Sequence, residues 1–194
     1  MYPEGAAAAA AVVCHAHPLH GGLMHFKVVF RAAKALQQQG VAALRFNFRG
    51  VGRSEGSHAY GVGEQDDARA ALDELAKRFP GLPLMLGGFS FGSVVASRLA
   101  AAGAGVAAVF ILGFPLSMVG DASYLEAIRV PRLFVQGEND SYGSGSAVAD
   151  LARRFPGPAS VVVVPGADHF FAGRLDALQE NVGAWAAGRP WQAS

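Results

Sequence analysis

One short stretch dictates what must surround it. Gly88-Phe89-Ser90-Phe91-Gly92 lies between an apolar run over residues 82–86 and a segment of helical character over residues 93–102. A serine between two glycines at a strand-to-helix junction is forced into strained backbone angles, and side chains at positions 88 and 92 would meet neighbouring backbone. Such a turn lifts the hydroxyl clear of the sheet and sets it at a helix N-terminus, beside unpaired N–H groups. A pentapeptide also arises by chance in glycine-rich turns, so the remaining residues have to distinguish the two cases.

The strand-then-helix alternation runs along the whole chain. Apolar runs over residues 7–14, 41–48, 82–89, 106–112, 132–136 and 160–164 read as six strands. The first is alanine-rich and rests on Val12 and Val13, and His17-Pro18 ends it. Helices are expected over residues 23–39, 64–79 and 93–102, up to Phe155, and over 174–185. In the first of them Phe26, Val29, Phe30, Ala33 and Leu36 recur at three- and four-residue steps before Gly40. Ala68, Leu72, Leu75 and Phe79 make the stripe of the second, with Lys77 and Arg78 in its last turn. Leu175, Leu178, Val182 and Trp185 share a face of the last. Residues 113–130 carry no strong pattern beyond a short helical turn near 124–128. Short strands that are apolar on both faces and alternate with helices define an α/β protein, a mostly parallel sheet covered on both sides. Neither a linker nor a repeat interrupts residues 1–194, which read as a single domain.

Composition narrows the partners. With 194 residues, 52% of them hydrophobic, a single core is well supplied. A net charge of +1 without a basic cluster argues against nucleic acid. The one cysteine, Cys14, rules out an intrachain disulfide and suits a reducing cytoplasm. Residues 6–13 imitate the core of a signal peptide but lack a preceding positive charge and a cleavage site. No run reaches transmembrane length. The expected partner is therefore a small molecule met in the cytoplasm, away from membranes.

In an open parallel sheet, functional groups gather at the carboxyl ends of the strands. Three loops at such ends bear suitable side chains. The third strand ends in Ser90, the fifth in Gly137-Glu138-Asn139-Asp140 and the sixth in Pro165-Gly166-Ala167-Asp168-His169. A serine hydroxyl is a weak nucleophile and needs a base to take its proton. Histidine titrates near neutrality, and a buried carboxylate fixes its tautomer. The expected assignment is Ser90 as nucleophile, His169 as general base and then acid, and Asp140 as the orienting carboxylate. Glu138 and Asp150 are alternatives for the acid. Asp168 adjoins His169 in the chain, where a facing geometry is rare, and reads as a turn cap. For an oxyanion, the Phe91 N–H follows the nucleophile. The second donor is expected from His17-Pro18-Leu19-His20-Gly21-Gly22, with Leu19 first and His20 second.

Two rival motifs fall short. His15, His17, His20 and His25 are dense enough for a metal, but strand alternation sends Cys14 to the face opposite His15, and no carboxylate completes a ligand pattern. Gly50-Val51-Gly52-Arg53-Ser54-Glu55-Gly56 misses the dinucleotide glycine spacing and precedes a loop rather than a helix. No metal and no cofactor is expected.

His17-Pro18 with Gly21-Gly22, the run from Leu44 through Arg45-Phe46-Asn47-Phe48-Arg49-Gly50 to Gly56, the pentapeptide around Ser90, and Gly166-Ala167-Asp168-His169-Phe170-Phe171 together resemble the small, lidless bacterial α/β-hydrolases, relatives of dienelactone hydrolases and serine esterases. The resemblance spans residues 12–185. It implies an α/β-hydrolase fold and a Ser-Asp-His triad, and says less about substrate, because fold does not settle function. That superfamily usually has eight strands beginning with a hairpin, whereas this chain begins close to what would be the third. The usual strand order would then leave 41–48 as a sheet edge, an association hazard, expected to be used in a homodimer or protected by the neighbouring loop. Caps commonly sit between the sixth and seventh strands of that fold, where only residues 113–130 are available. A shallow, capless site follows, with Phe114, Tyr124, Tyr142, Phe170 and Phe171 on nearby loops as an apolar acyl surface, or packed down to hold those loops. The expected activity is a serine hydrolase cleaving carboxylic esters with short or exposed acyl groups through an acyl-serine. A thioesterase or lactone hydrolase with the same triad, an idle scaffold that binds, and a metal-dependent hydrolase are the alternatives.

Overall fold

A computed structural model describes residues 1–192. Six strands, β1 (Ala9–Cys14), β2 (Val41–Arg45), β3 (Leu84–Phe89), β4 (Ala108–Leu112), β5 (Arg132–Gly137) and β6 (Ala159–Val164), form one sheet in the order β2-β1-β3-β4-β5-β6. Every adjacent pair is parallel. The crossovers carry α1 (Lys27–Gln38), α2 (Gly63–Arg78), α3 (Phe91–Ala101), the single turn α4 (Leu116–Val119) and α5 (Gly145–Arg154), and α6 (Leu175–Ala187) follows β6.

Residue alternation along the strands divides the core. Val13, Phe89, Phe110 and Val135 face α1 and α6, packing with Val29, Leu36, Leu178 and Val182. Val12, Leu86, Ile111 and Phe134 face the other way, against Leu72, Val95 and Val148 of α2, α3 and α5. Strands covered on both sides have no polar face, which explains the continuous apolar runs. No described helix is long and apolar enough to cross a membrane.

Several boundaries move from those expected. β2 stops at Arg45, and α1 starts at Lys27 rather than at residue 23. Both shifts share a cause. Met24 N–H donates to Asn47 Oδ1 at 2.8 Å and Arg45 Nη1 to Met24 O at 2.6 Å, so the two exits are tied to each other instead of extending their elements. Phe30, expected on the buried stripe of α1, is exposed beneath the Arg45 guanidinium, and Val28 and Ala32 fill the stripe. β2 is the sheet edge, as the strand order required. Its Ala43 exchanges backbone hydrogen bonds with Met1, at 2.9 and 2.7 Å, so Met1 rather than a neighbouring loop meets this edge.

Two side-chain anchors fix the long loops, one near the amino ends of β5 and β6 and one beyond the carboxyl end of β2. Buried Arg132 donates to the carbonyls of Leu125, Ile128 and Pro156 at 3.0, 3.0 and 2.6 Å. It thereby pins residues 113–130, which fold as α4 and a 3-10 turn (Ser123–Ala127) and form no cap domain. On the other flank, the fully buried Glu64 carboxylate accepts the Ala59 and Gly61 N–H groups at 2.8 and 2.7 Å.

Candidate active site

Ser90 stands between β3 and α3 with φ 54° and ψ −123°, a conformation that non-glycine residues avoid. The flanking glycines allow the close approach. A Cβ on Gly88 would stand 2.7 Å from Cys14 O, and one on Gly92 2.4 Å from His15 O. The strained residue is clamped by Ser90 N–H to Leu112 O at 2.9 Å and by the Ser93 hydroxyl to Ser90 O at 2.6 Å.

β5 and β6 bring the partners. His169 Nε2 lies 2.9 Å from Ser90 Oγ, and His169 Nδ1 lies 2.7 Å from Asp140 Oδ2. A carboxylate only accepts, so the Nδ1 proton faces Asp140 and the Nε2 lone pair faces the serine hydroxyl. Asp140 and His169 are each 4% exposed, while Ser90 remains partly open to solvent. Gly113, just after β4, leaves room for the Phe89 ring that packs on the imidazole: a Cβ there would lie 2.7 Å from that ring, and at an ordinary contact distance of 3.5 Å from His169 Cε1. Three aromatic rings surround His169, Tyr142 at 4.6 Å, Phe89 at 5.0 Å and Phe170 at 5.2 Å between centroids.

The other acids are occupied elsewhere. Glu138 accepts Gly166 N–H at 2.8 Å, Asp150 pairs with Arg153 at 2.6 Å, and Asp168 accepts Ala172 N–H at 2.9 Å as a turn cap.

Sequence reasoning missed Gln136. It is wholly buried at the end of β5, where a primary amide must satisfy both ends. Its Oε1 accepts Phe114 N–H at 2.7 Å, and its Nε2 donates to Asp140 Oδ2 at 2.8 Å and Gly143 O at 2.7 Å. Tyr142 N–H adds a bond to Asp140 Oδ1 at 2.8 Å. The signal was present: one amide side chain closes a strand otherwise apolar after Arg132, four residues before the acid.

The loop after β1 departs from its expected use. Leu19 N–H donates to His17 Nδ1 at 3.2 Å and His20 N–H to His17 O at 3.1 Å, so both proposed oxyanion donors are spent inside the 3-10 turn Pro18–His20. Among the described residues, no acceptor pairs with the N–H of Phe91, Ala16 or His17. The His17 ring packs 4.9 Å from the Phe91 ring, which brings this loop beside the start of α3.

Of the five aromatics expected around the site, two stand there. Tyr142 and Phe170 flank His169 and are 39% and 51% exposed. Phe114 and Phe171 are fully buried. Phe114 turns into the core on the α3 side, and Phe171, at φ 54°, turns under the loop towards the α6 side. Tyr124 packs behind α3, its hydroxyl 3.1 Å from Ser97 Oγ and its ring beneath Arg98.

The histidines separate. His15 is fully buried and its pKa is lowered by that burial. Its Nδ1 donates to Ala16 O at 2.7 Å and its Nε2 accepts Phe48 N–H at 3.1 Å. His17 stacks on His20 at 4.6 Å and lies 4.8 Å from His58. His58 Nδ1 stands 2.9 Å from Glu64 Oε1 but is misaligned for a hydrogen bond and has no other partner. Burial raises the Glu64 pKa, and the Ala59, Glu64 and Gly61 N–H groups with His58 outweigh it, leaving the carboxyl below its ordinary value. No three His, Cys, Asp or Glu side chains among the described residues converge as metal ligands.

A six-stranded parallel sheet with a serine at this elbow and a histidine–carboxylate pair behind it is the architecture of an α/β-hydrolase. Residues 8–186 match the alpha/beta hydrolase domain family, and the chain belongs to it. It is 39% identical over 180 residues to an uncharacterized protein of Rickettsia prowazekii, covering 89% of this chain and 76% of that one. Among solved structures, an alpha-beta serine hydrolase homologue from Coxiella burnetii superposes with a TM-score of 0.88 at 37% identity, covering 95% of this chain and 88% of that chain. A serine hydrolase without lid from Xanthomonas campestris gives 0.86 at 34% identity, covering 100% and 88%.

Proposed function

We propose that this hydrolase cleaves carboxylic esters with short or exposed acyl groups through an acyl-serine. The observation that carries the reading is the continuous chain Ser90 Oγ–His169–Asp140, at 2.9 and 2.7 Å. His169 Nε2 takes the Ser90 proton as Oγ attacks the ester carbonyl, and the resulting imidazolium is held by Asp140. The same nitrogen returns the proton to the departing alcohol, leaving an acyl-serine. Water then attacks with His169 again as base, releasing the acid and restoring the serine hydroxyl. The Phe91 N–H is one donor to the tetrahedral oxyanion, and the free amide of Ala16 or His17 is the second. One such donor typically contributes about 3–4 kcal/mol to the transition state. The openness above Ser90 favours small acyl groups, with Tyr142 and Phe170 as the apolar surface. The lone, buried Cys14 thiol, its pKa raised by burial, fits a cytoplasmic setting.

The test is hydrolysis of p-nitrophenyl acetate by the wild type and Ser90→Ala, with and without chelator. Loss in the variant and indifference to chelator are expected. Turnover retained in Ser90→Ala, or a Ser90 that a fluorophosphonate fails to label, would sink the reading.

A further inference from the structure

Two hollows adjoin between the start of α1 and the turn leading into α6. The one that reaches Phe170 has a volume of ≈ 620 Å³, with Leu23, Phe26, Phe170 and Leu175 as its apolar wall and the exposed His25 and Lys27 also lining it. The further one, ≈ 330 Å³, shares His25, Lys27 and Leu175 and extends to Arg31. Together they make a groove of ligand size.

The groove adjoins the candidate site through Phe170. Phe170 stands 5.2 Å from His169 and 6.1 Å from Phe26, and Phe26 stacks on Phe89, the residue before Ser90, at 5.6 Å. The Phe91 ring, by contrast, packs against the His17 and His58 rings, at 4.9 and 5.5 Å between centroids. The groove therefore lies on the histidine flank of Ser90, away from the His17 loop and the Phe91 ring.

That flank has a fixed chemical meaning. The imidazole must hand its proton to the leaving oxygen, so the leaving group lies beside it. The charge on the groove is also one-sided. α1 carries Lys27, Arg31 and Lys34 and no acid, and Phe26 supplies no side-chain cap at its start. Arg31 is answered by Asp176 at 2.6 Å and Gln179 at 3.0 Å. Lys27 has no carboxylate within ion-pair distance among the described residues.

We propose that this groove is the alcohol-side subsite and that the natural ester carries an apolar, ring-sized alcohol bearing an anionic group, which pairs with Lys27. The proposal rests on the reading of Ser90 as the nucleophile. Leu23, Phe26, Phe170 and Leu175 receive the ring, and the anion reaches the cationic rim at the start of α1.

The experiment compares 6-acetoxy-2-naphthoate with its neutral analogue 6-acetoxy-2-naphthamide. Wild type is expected to favour the carboxylate in kcat/KM by roughly three- to fivefold at low ionic strength, the scale of one exposed charge pair. The ratio should fall towards one in Lys27→Gln, reverse in Lys27→Glu, and shrink as salt is added. Ala172→Trp, which narrows the groove, should raise KM more for the naphthyl ester than for ethyl acetate. Equal rates on the two naphthyl esters in wild type, or a preference that survives Lys27→Glu, overturns the proposal. Binding of 6-hydroxy-2-naphthoate to Ser90→Ala, followed by its fluorescence, separates the two readings. If no ester is cleaved but this product binds and Lys27→Glu weakens it, the groove stands as an anion-bearing aromatic site and the ester reading falls. If the product does not bind, the groove proposal falls whatever the esters show.

Discussion

Two buried histidine–carboxylate pairs flank Ser90, and they differ in alignment more than in composition. His169 and Asp140 meet at 2.7 Å, and the far nitrogen of His169 rests on Ser90 Oγ. His58 and Glu64 meet at 2.9 Å, with side chains only 6% and 0% exposed. Yet the second contact is off-line, and Glu64 spends its oxygens on two loop N–H groups. A base is made by a lone pair aimed at a proton, and burial beside a carboxylate does not supply that aim. The first pair hangs from two adjacent strand ends braced by Gln136. The second closes a loop, and its carboxylate is a loop staple.

The largest effect expected from breaking this contrast is at the first pair. Ser90→Ala or His169→Ala should lower kcat by about 10⁴- to 10⁶-fold, and Asp140→Asn, which leaves the wrong tautomer, by about 10⁴-fold. His58→Phe should change kcat/KM by less than about threefold, since its ring packs against His17, Tyr60 and Phe91 and its only polar contact is with the loop staple Glu64. A loss at His58 matching that at His169, in the same steady-state assay, would erase the distinction drawn between the pairs.

Gln136→Leu comes next. It strips one donor from Asp140 and leaves buried Phe114 N–H unpaired, which costs about 1–3 kcal/mol in stability. A fall in kcat of about tenfold or more is expected besides, because Asp140 loses its brace. Urea denaturation read beside the kinetics separates the two effects. Gln136→Glu should be worse than Gln136→Leu, since it sets a second carboxylate beside Asp140.

The smallest effect is at Glu64. Its carboxyl is held below its ordinary value in the folded chain. Its contribution is therefore full above the unfolded carboxyl range and is lost as pH falls through the depressed folded value. Glu64→Gln should unfold at lower temperature than wild type at pH 7, and the gap in Tm should close on acidification. A gap that stays constant or widens in acid would count against the staple.

Much of this was legible in the chain because it depends on local spacing. Ser90, Asp140 and His169 each sit within a few residues of a strand end, and parallel strands deliver their ends to one edge of the sheet. Loop direction was less legible. Phe170 and Phe171 are neighbours in sequence, yet one lies at the site and the other is core, because φ at residue 171 is positive. Leu19 and His20 follow the His-Pro pair as expected, but the His17 ring and carbonyl claim their N–H groups. Phe114 and Tyr124 lie in the segment that Arg132 pins, and nothing in the local pattern tells which way such a segment turns.

The φ of 54° at Ser90 bears on how the protein responds to selection for heat resistance. Glycine takes that conformation without strain, alanine does not, and the gap between Ser90→Gly and Ser90→Ala should be about 1 kcal/mol in favour of glycine. On the proposed reading of Ser90 as the nucleophile, position 90 is thus a place where relief of backbone strain and catalysis pull in opposite directions. A screen that scores survival on heating alone is expected to return the inactive glycine variant among its stabilised clones.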